Sequence, residues 1–259
     1  MRKLTIGELD LAGKRVFVRV DLNVPLEGGA VTDDTRLTAV LPTIELALGA
    51  GASVVLASHL GRPKGKPSPE FSLKPVAERL ASLLGRAVPL APDCVGPEVE
   101  TQARALEPGE VLLLENLRFH PGEEKNDEAF ARSLAALADV YVDDAFAAAH
   151  RAHASIAAIT RSLQPAAAGL LMQRELEALG RVLEAPARPV AAILGGAKVS
   201  DKVTLVEHLL DRVEALLIGG GMAFTFLRAL GHDVGRSLVE SDRVETARRV
   251  LETARRRGI

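Results

Sequence analysis

Short apolar runs that alternate with helical stretches, each run ending in a polar or glycine-rich cluster, constrain this chain more than any other feature of its sequence. In the first half the runs fall at residues 15–20, 52–57, 111–114 and 140–142, and in the second at 190–194 and 215–218. Residues 15–20 alternate, while the others are mostly apolar on successive positions, as in strands covered on both faces of a parallel sheet. Between them lie helical stretches at 34–48, 73–84 and 126–137, and then near 199–210 and 222–230. Strand followed by helix followed by strand gives βαβ units. Pro42 is expected to bend the first helix or mark its restart. Met172, Leu176, Leu179 and Leu183 recur at spacings of four, three and four, which predicts an amphipathic connecting helix. The prolines of residues 184–189 stop it.

At roughly 150 residues per domain, a chain of 259 residues has room for two. The expected fold is α/β: two doubly wound parallel-sheet domains, at 1–168 and 189–259, joined by a hinge helix and linker at 169–188. With 32 Lys+Arg against 34 Asp+Glu no global field favours nucleic acid or an anionic membrane, so any anion site must be local. Seven Phe, one Tyr and no Trp leave little for base stacking. No apolar run approaches the ~18 residues of a membrane span, and Glu8 interrupts the N-terminus before a signal peptide could form. Cys94 is the single cysteine, which excludes an internal disulfide and fits a cytoplasmic protein.

In parallel sheets ligands collect beyond the carboxyl ends of the strands. The first run leads into Asp21 and Asn23, the second into His59 and Arg62, the third into Arg118, and the fourth into Asp143 and Asp144, with His150, Arg151 and His153 shortly after. Any one of these has an ordinary reading as a solvated loop residue. Their shared position at strand ends points instead to one basic pocket, since guanidinium groups bind phosphate and carboxylate bidentately. Asp21 and Asn23 suit hydrogen bonding to a substrate hydroxyl. In the second half, Gly195 and Gly196 precede Lys198 and Lys202, which are expected four apart on one helical face. Lysines near a helix start oppose its dipole and call for a compensating anion or carboxylate. Gly219 and Gly220 follow the next run, making a second phosphate-facing rim.

Some motifs are set aside. Residues 61–66 have three residues between glycines and Pro67 where a Walker loop needs Ser or Thr. The late glycine cluster lacks the third glycine of GxGxxG. His150 and His153 have no matching ligand set, so no metal site is expected.

The segments RVDLNVP (19–25), SHLGRPKG (58–65), LLENLRFHPGEEKN (113–126), DDAFAAAHRAHAS (143–155), LGGAKVSDK (194–202) and GGGMAFTF (219–226) resemble the phosphoglycerate kinase family in order and along essentially the whole chain. The resemblance implies a two-domain hinge kinase, monomeric, moving a phosphoryl group reversibly between 1,3-bisphosphoglycerate and ADP to give 3-phosphoglycerate and ATP with magnesium. Carried residue by residue, it places Asp21, Asn23, Arg36, His59, Arg62, Arg118 and Arg151 at the glycerate site, with Arg36 and Lys198 serving the transferring phosphoryl and Lys202 the nucleotide phosphates. Residues 172–183 would be the hinge. Leu22 replaces the family's aromatic, and Ala147 stands where the family has glycine; if that position needs positive φ, Ala147 costs on the order of 1 kcal/mol. The sequence ends at Ile259, where the resemblance expects a further strand, so the second domain is expected to be incomplete and the chain to bind 3-phosphoglycerate without turnover as the alternative.

Overall fold

The computed structural model describes residues 3–183 and 186–259; Glu184 and Ala185 of the expected helix stop lie outside the described residues, as do the side chains of Val182 and Leu183. Two compact units divide the chain, Met1–Glu177 and Ala178–Ile259.

The first unit runs β1 (Arg15–Arg19), β2 (Leu26–Glu27), β3 (Ala30–Val31), α1 (Thr35–Gly49), β4 (Ser53–Ala57), α2 (Lys74–Leu84), α3 (Pro97–Ala105), β5 (Val111–Leu113), α4 (Pro121–Glu124), α5 (Glu128–Ala135), β6 (Val140–Asp143) and β7 (Ala166–Ala168), and then enters α6 (Leu170–Leu183). β2 and β3 form a small antiparallel hairpin, and the other strands make one sheet in the order β5-β4-β1-β6-β7. Each neighbouring pair in that sheet is parallel. Successive residues of a strand face opposite sides, so both faces must be apolar. Val16, Val18, Val54, Leu56 and Val142 pack with Leu37, Val40 and Ile44 of α1 and with Val76 and Leu80 of α2. Phe17, Val55, Leu112 and Tyr141 pack on the other side with Val99 of α3 and with Phe130 and Leu134 of α5.

Pro42 does not restart α1, which runs unbroken over 15 residues. Buried Val40, Thr43 and Ile44 hold the helix to the sheet on both sides of the proline, and this burial outweighs a penalty of ~3 kcal/mol for an interior proline. At the start of α6 the Asp144 carboxylate accepts hydrogen bonds from the amides of Leu171 (2.9 Å) and Met172 (3.0 Å). The Thr43 hydroxyl accepts a third from Leu170. These satisfy the orphan donors of a helix N-terminus.

The second unit contains β8 (Ala191–Gly195), α7 (Val203–Leu209), β9 (Ala215–Gly219), α8 (Met222–Ala229) and α9 (Val244–Arg257). β8 and β9 pair in parallel, with Gly195 opposite Gly219. Leu194, Leu216 and Ile218 pack against Val206, Met222, Phe226, Ala247 and Val250. The opposite face is bare: Ile193 is 78% and Leu217 51% exposed. This sheet is covered on one side only among the described residues, as an incomplete doubly wound domain would be.

Two substitutions separate the faces. Phe226→Ala is expected to destabilise the second unit by about 3–5 kcal/mol through lost burial and a cavity, whereas Ile193→Ser should change stability by no more than ~0.5 kcal/mol and reduce concentration-dependent association. Urea unfolding and sedimentation velocity check both. An Ile193→Ser loss as large as that of Phe226→Ala would mean that the face is covered in solution.

Candidate functional site

The chain turns in opposite directions after β1 and β6, which are neighbours in the sheet. Residues after β1 lead to α1 on one face, while Ala154, Ala158 and Ile159, after β6, pack on the other. Such divergence opens a crevice beyond the strand ends.

Most of the expected residues are tied together there. Asp21, 8% exposed, forms an ion pair with Arg36 in the first turn of α1, and its other carboxylate oxygen accepts the Asn23 amide at 3.2 Å. The Asn23 side chain in turn accepts the Gly61 amide at 2.8 Å. Gly61 has φ +59°, and a Cβ there would lie 2.4 Å from the Phe71 ring, so only glycine fits. Its carbonyl accepts a hydrogen bond from Arg118 at 2.8 Å. Arg118 is buried, and its Nε has no hydrogen-bond partner, with Glu124 3.4 Å away. A buried guanidinium donor that makes no hydrogen bond is uncommon without a ligand to meet it. Arg62 and Arg151 are exposed, and among the described residues the Arg151 side chain donates only to His150, at 3.3 Å.

Arg19 belongs to this cluster and was absent from the sequence expectation. It is 1% exposed and donates to Ser155 Oγ at 2.9 Å and to the Val20 carbonyl, with a third nitrogen 3.3 Å from His59 Nδ1. The signal was available: Arg19 shares the alternation of Phe17, which faces the core. Burial pushes the His59 imidazole down to about 2, and the charges of Arg19, Arg118, Arg151 and His153 add to the shift. Desolvation likewise lowers the Arg118 guanidinium and the His153 imidazole, although Glu123 opposes the latter.

Other polar residues at the strand ends hold the framework. Glu115 accepts from the Leu73 and Asn116 amides and from the Ser72 hydroxyl, and Asn116 donates to the carbonyls of Leu60 and Phe71. Ala147 has no positive φ, so the strain expected from replacing glycine does not arise. Asp93, Cys94 and His120 bring donor atoms within 4.8 Å of one another. One Asp93 oxygen already holds the His120 ring (2.7 Å) and the Cys94 amide (2.6 Å), and Cys94 is fully buried, so this group tethers its loop.

In the second unit α7 starts at Val203, with Lys202 as its N-cap residue, so Lys198 precedes the helix and the two lysines do not share a helical face. The compensating anion is internal. Glu240 accepts the amides of Val199 and Ser200 and the Ser200 hydroxyl at 2.6 Å, and that hydroxyl is the main reason its carboxyl lies below the usual range. The glycines serve close approach between two turns: a Cβ at Gly220 would lie 2.9 Å from the Gly196 carbonyl, which itself accepts the Met222 amide. Lys198 is exposed and Lys202 half-buried.

A cationic crevice at the switch point of a doubly wound sheet is the architecture of α/β proteins that hold small anions. The phosphoglycerate kinase family model matches residues 6–259, and the chain belongs to that family. It is 61% identical over 259 residues to the phosphoglycerate kinase of Moorella thermoacetica, covering all of this chain and 66% of the relative. Against that of Desulforudis audaxviator it is 60% identical over 255 residues, 98% of this chain and 65% of the relative. The solved phosphoglycerate kinase of Coxiella burnetii aligns with a TM-score of 0.91 at 44% identity, covering 100% of this chain and 65% of that one. That of Pyrococcus horikoshii aligns at 0.80 and 36%, covering 96% and 65%. The chain thus spans just under two thirds of the length of these relatives.

The buried His59 makes a prediction for pH. Its folded value near 2 lies below the unfolded 6.5, so between them the unfolded state binds the extra proton and folding weakens as pH falls. One such proton gives a slope of ~1.4 kcal/mol per pH unit. In urea titrations from about pH 6 to 4, His59→Gln should flatten the stability slope by about one proton relative to wild type. An unchanged slope would place a charged or solvated imidazole in the fold.

Proposed function

We infer that the strand-end crevice of the first unit binds 3-phosphoglycerate or 1,3-bisphosphoglycerate, and that this chain is the glycerate-binding and part of the nucleotide-binding portion of a glycolytic kinase. The observation that carries this is the linkage of Arg36 and Arg118 through Asp21, Asn23 and Gly61, with exposed Arg62 next to Gly61, the Arg151 charge acting on His59, and the buried Arg118 Nε making no hydrogen bond beside the Glu124 carboxylate. Arginine and carboxylate chemistry supports a division of labour. Cations hold the phosphate and carboxylate ends of the ligand, while Asp21 and Asn23 hydrogen-bond its hydroxyl.

The reaction is reversible transfer of a phosphoryl group between the acyl phosphate of 1,3-bisphosphoglycerate and ADP, with ATP and its magnesium as the nucleotide complex. Such transfer proceeds in line and depends on positioning and on cations at the equatorial oxygens. Arg36 is the residue assigned to that charge; it starts α1 and exchanges its Asp21 partner for the transferring group. Lys198 accompanies the phosphoryl and Lys202 holds nucleotide phosphates beside Gly195, Gly196, Gly219 and Gly220. Because Glu240 takes the Val199 and Ser200 amides, anion binding there falls to the two ammonium groups. Residues 172–183 serve as the hinge, and the protein acts as a cytoplasmic monomer.

A second reading, binding without turnover by these 259 residues, is favoured by the bare face carrying Ile193 and Leu217. Calorimetry with 3-phosphoglycerate tests the site, and a coupled assay of ADP formation from ATP and 3-phosphoglycerate tests turnover. Saturable binding is expected; a silent titration would reject the glycerate site. In a chain of the relatives' full length, Arg36→Ala should lower kcat by about a thousandfold while changing glycerate affinity far less. A change confined to KM would contradict the role given to Arg36.

A further inference from the structure

Beneath the crevice lies a carboxylate with no solvent exposure. Glu123, on α4, is 0% exposed, and its oxygens accept the Ser155 hydroxyl at 2.6 Å and the Ser155 amide at 2.9 Å. Its backbone carbonyl also accepts the Ala154 amide, so it is stapled twice to the segment that follows Arg151. Ser155 is itself fully buried, and its hydroxyl oxygen accepts from Arg19 Nε at 2.9 Å. His153 Nδ1 lies 3.7 Å from the same carboxylate.

Donor and acceptor roles along this chain are forced. A guanidinium only donates, so Ser155 Oγ must accept from Arg19 and its single proton goes to Glu123. The carboxylate thereby orients the hydroxyl, and the hydroxyl with the Val20 carbonyl orients the guanidinium. Arg19 then presents its remaining nitrogen to His59 Nδ1 at 3.3 Å. A guanidinium cannot accept, so Nδ1 must offer its lone pair and the ring proton must sit on Nε2.

We propose that Glu123 and Ser155 are positioning residues that hold Arg19 in one orientation and, through it, keep His59 a neutral imidazole with its proton on Nε2. A neutral Nε2–H gives the crevice a hydrogen-bond donor without adding a further cation beside Arg19, Arg118 and Arg151. Its use in holding 3-phosphoglycerate rests on the site reading above, whereas the tautomer itself is a property of the ligand-free chain.

The test is a long-range nitrogen–proton correlation spectrum of the 259-residue chain, without ligand, from about pH 8 to 5, the range in which an ordinary histidine titrates. His59 is expected to show a protonated Nε2 and an unprotonated Nδ1 throughout. Ser155→Ala should give mixed tautomers at His59 and weaken 3-phosphoglycerate binding in calorimetry by about tenfold, with Ser155→Thr restoring both. A wild-type His59 protonated on Nδ1 would overturn the proposal, even if Ser155→Ala does not fold. So would a folded Ser155→Ala protein that keeps the single tautomer and binds within about twofold of wild type. The expected tautomer in a wild-type chain that ignores 3-phosphoglycerate would sustain the relay and reject the glycerate site.

Discussion

Burial of both faces of the parallel sheet is the constraint from which the rest of the first unit follows. Val16 and Val18 face α1 and α2 while Phe17 faces α3 and α5, so a polar side chain reaches solvent only where a strand ends. Four strands therefore deliver their polar residues to one rim. Arg19 is the exception that proves instructive, a guanidinium at the last position of β1 on the Phe17 face, buried among Ser155, His59 and the Val20 carbonyl. Its charge is tolerable because every nitrogen has an acceptor and the Glu123 carboxylate lies one hydroxyl away.

The same economy of charge recurs elsewhere in the chain. Arg36 is held by Asp21 and the turn after Lys198 by Glu240, so part of the cationic chemistry is neutralised from within. An anion binding at Arg36 would have to compete with Asp21. Arg62 and Arg151, by contrast, are exposed and meet no carboxylate among the described residues, and the buried Arg118 Nε has the Glu124 carboxylate 3.4 Å away but makes no hydrogen bond. Partnered and unpartnered guanidinium groups in one crevice are what a site needs that must both fold without ligand and bind an anion.

Much of this was legible in the sequence, for identifiable reasons. β1, β4, β5 and β6 and the helices α1, α2 and α5 announced themselves through apolar runs and periodicity, and the strand-end rule then pointed to Asp21, Asn23, His59, Arg62, Arg118 and Arg151. β7 did not, because Ala166, Ala167 and Ala168 carry none of the β-branched signal of an edge strand. α3 was hidden by its weakly apolar pattern, in which only Val99 and Ala103 are buried. Arg19 and Glu123 escaped because a charged residue in a core position reads as surface until its partners, here 136 and 32 residues away along the chain, are in place. Lys198 and Lys202 do not share the helical face that their spacing implies, because the turn held by Glu240 delays the start of α7, a contact spanning 41 residues that no local pattern encodes.

We propose that a small phosphorylated carboxylate binds in the crevice beyond β1, β4, β5 and β6. Mapping backbone amide shifts while 3-phosphoglycerate is added addresses it directly. Saturable shifts that move together are expected at Asn23, Gly61, Arg62, Arg118 and Arg151, with Lys198 and Lys202 unaffected by this ligand. Shifts confined to another surface, or none at all with the protein folded, would contradict it.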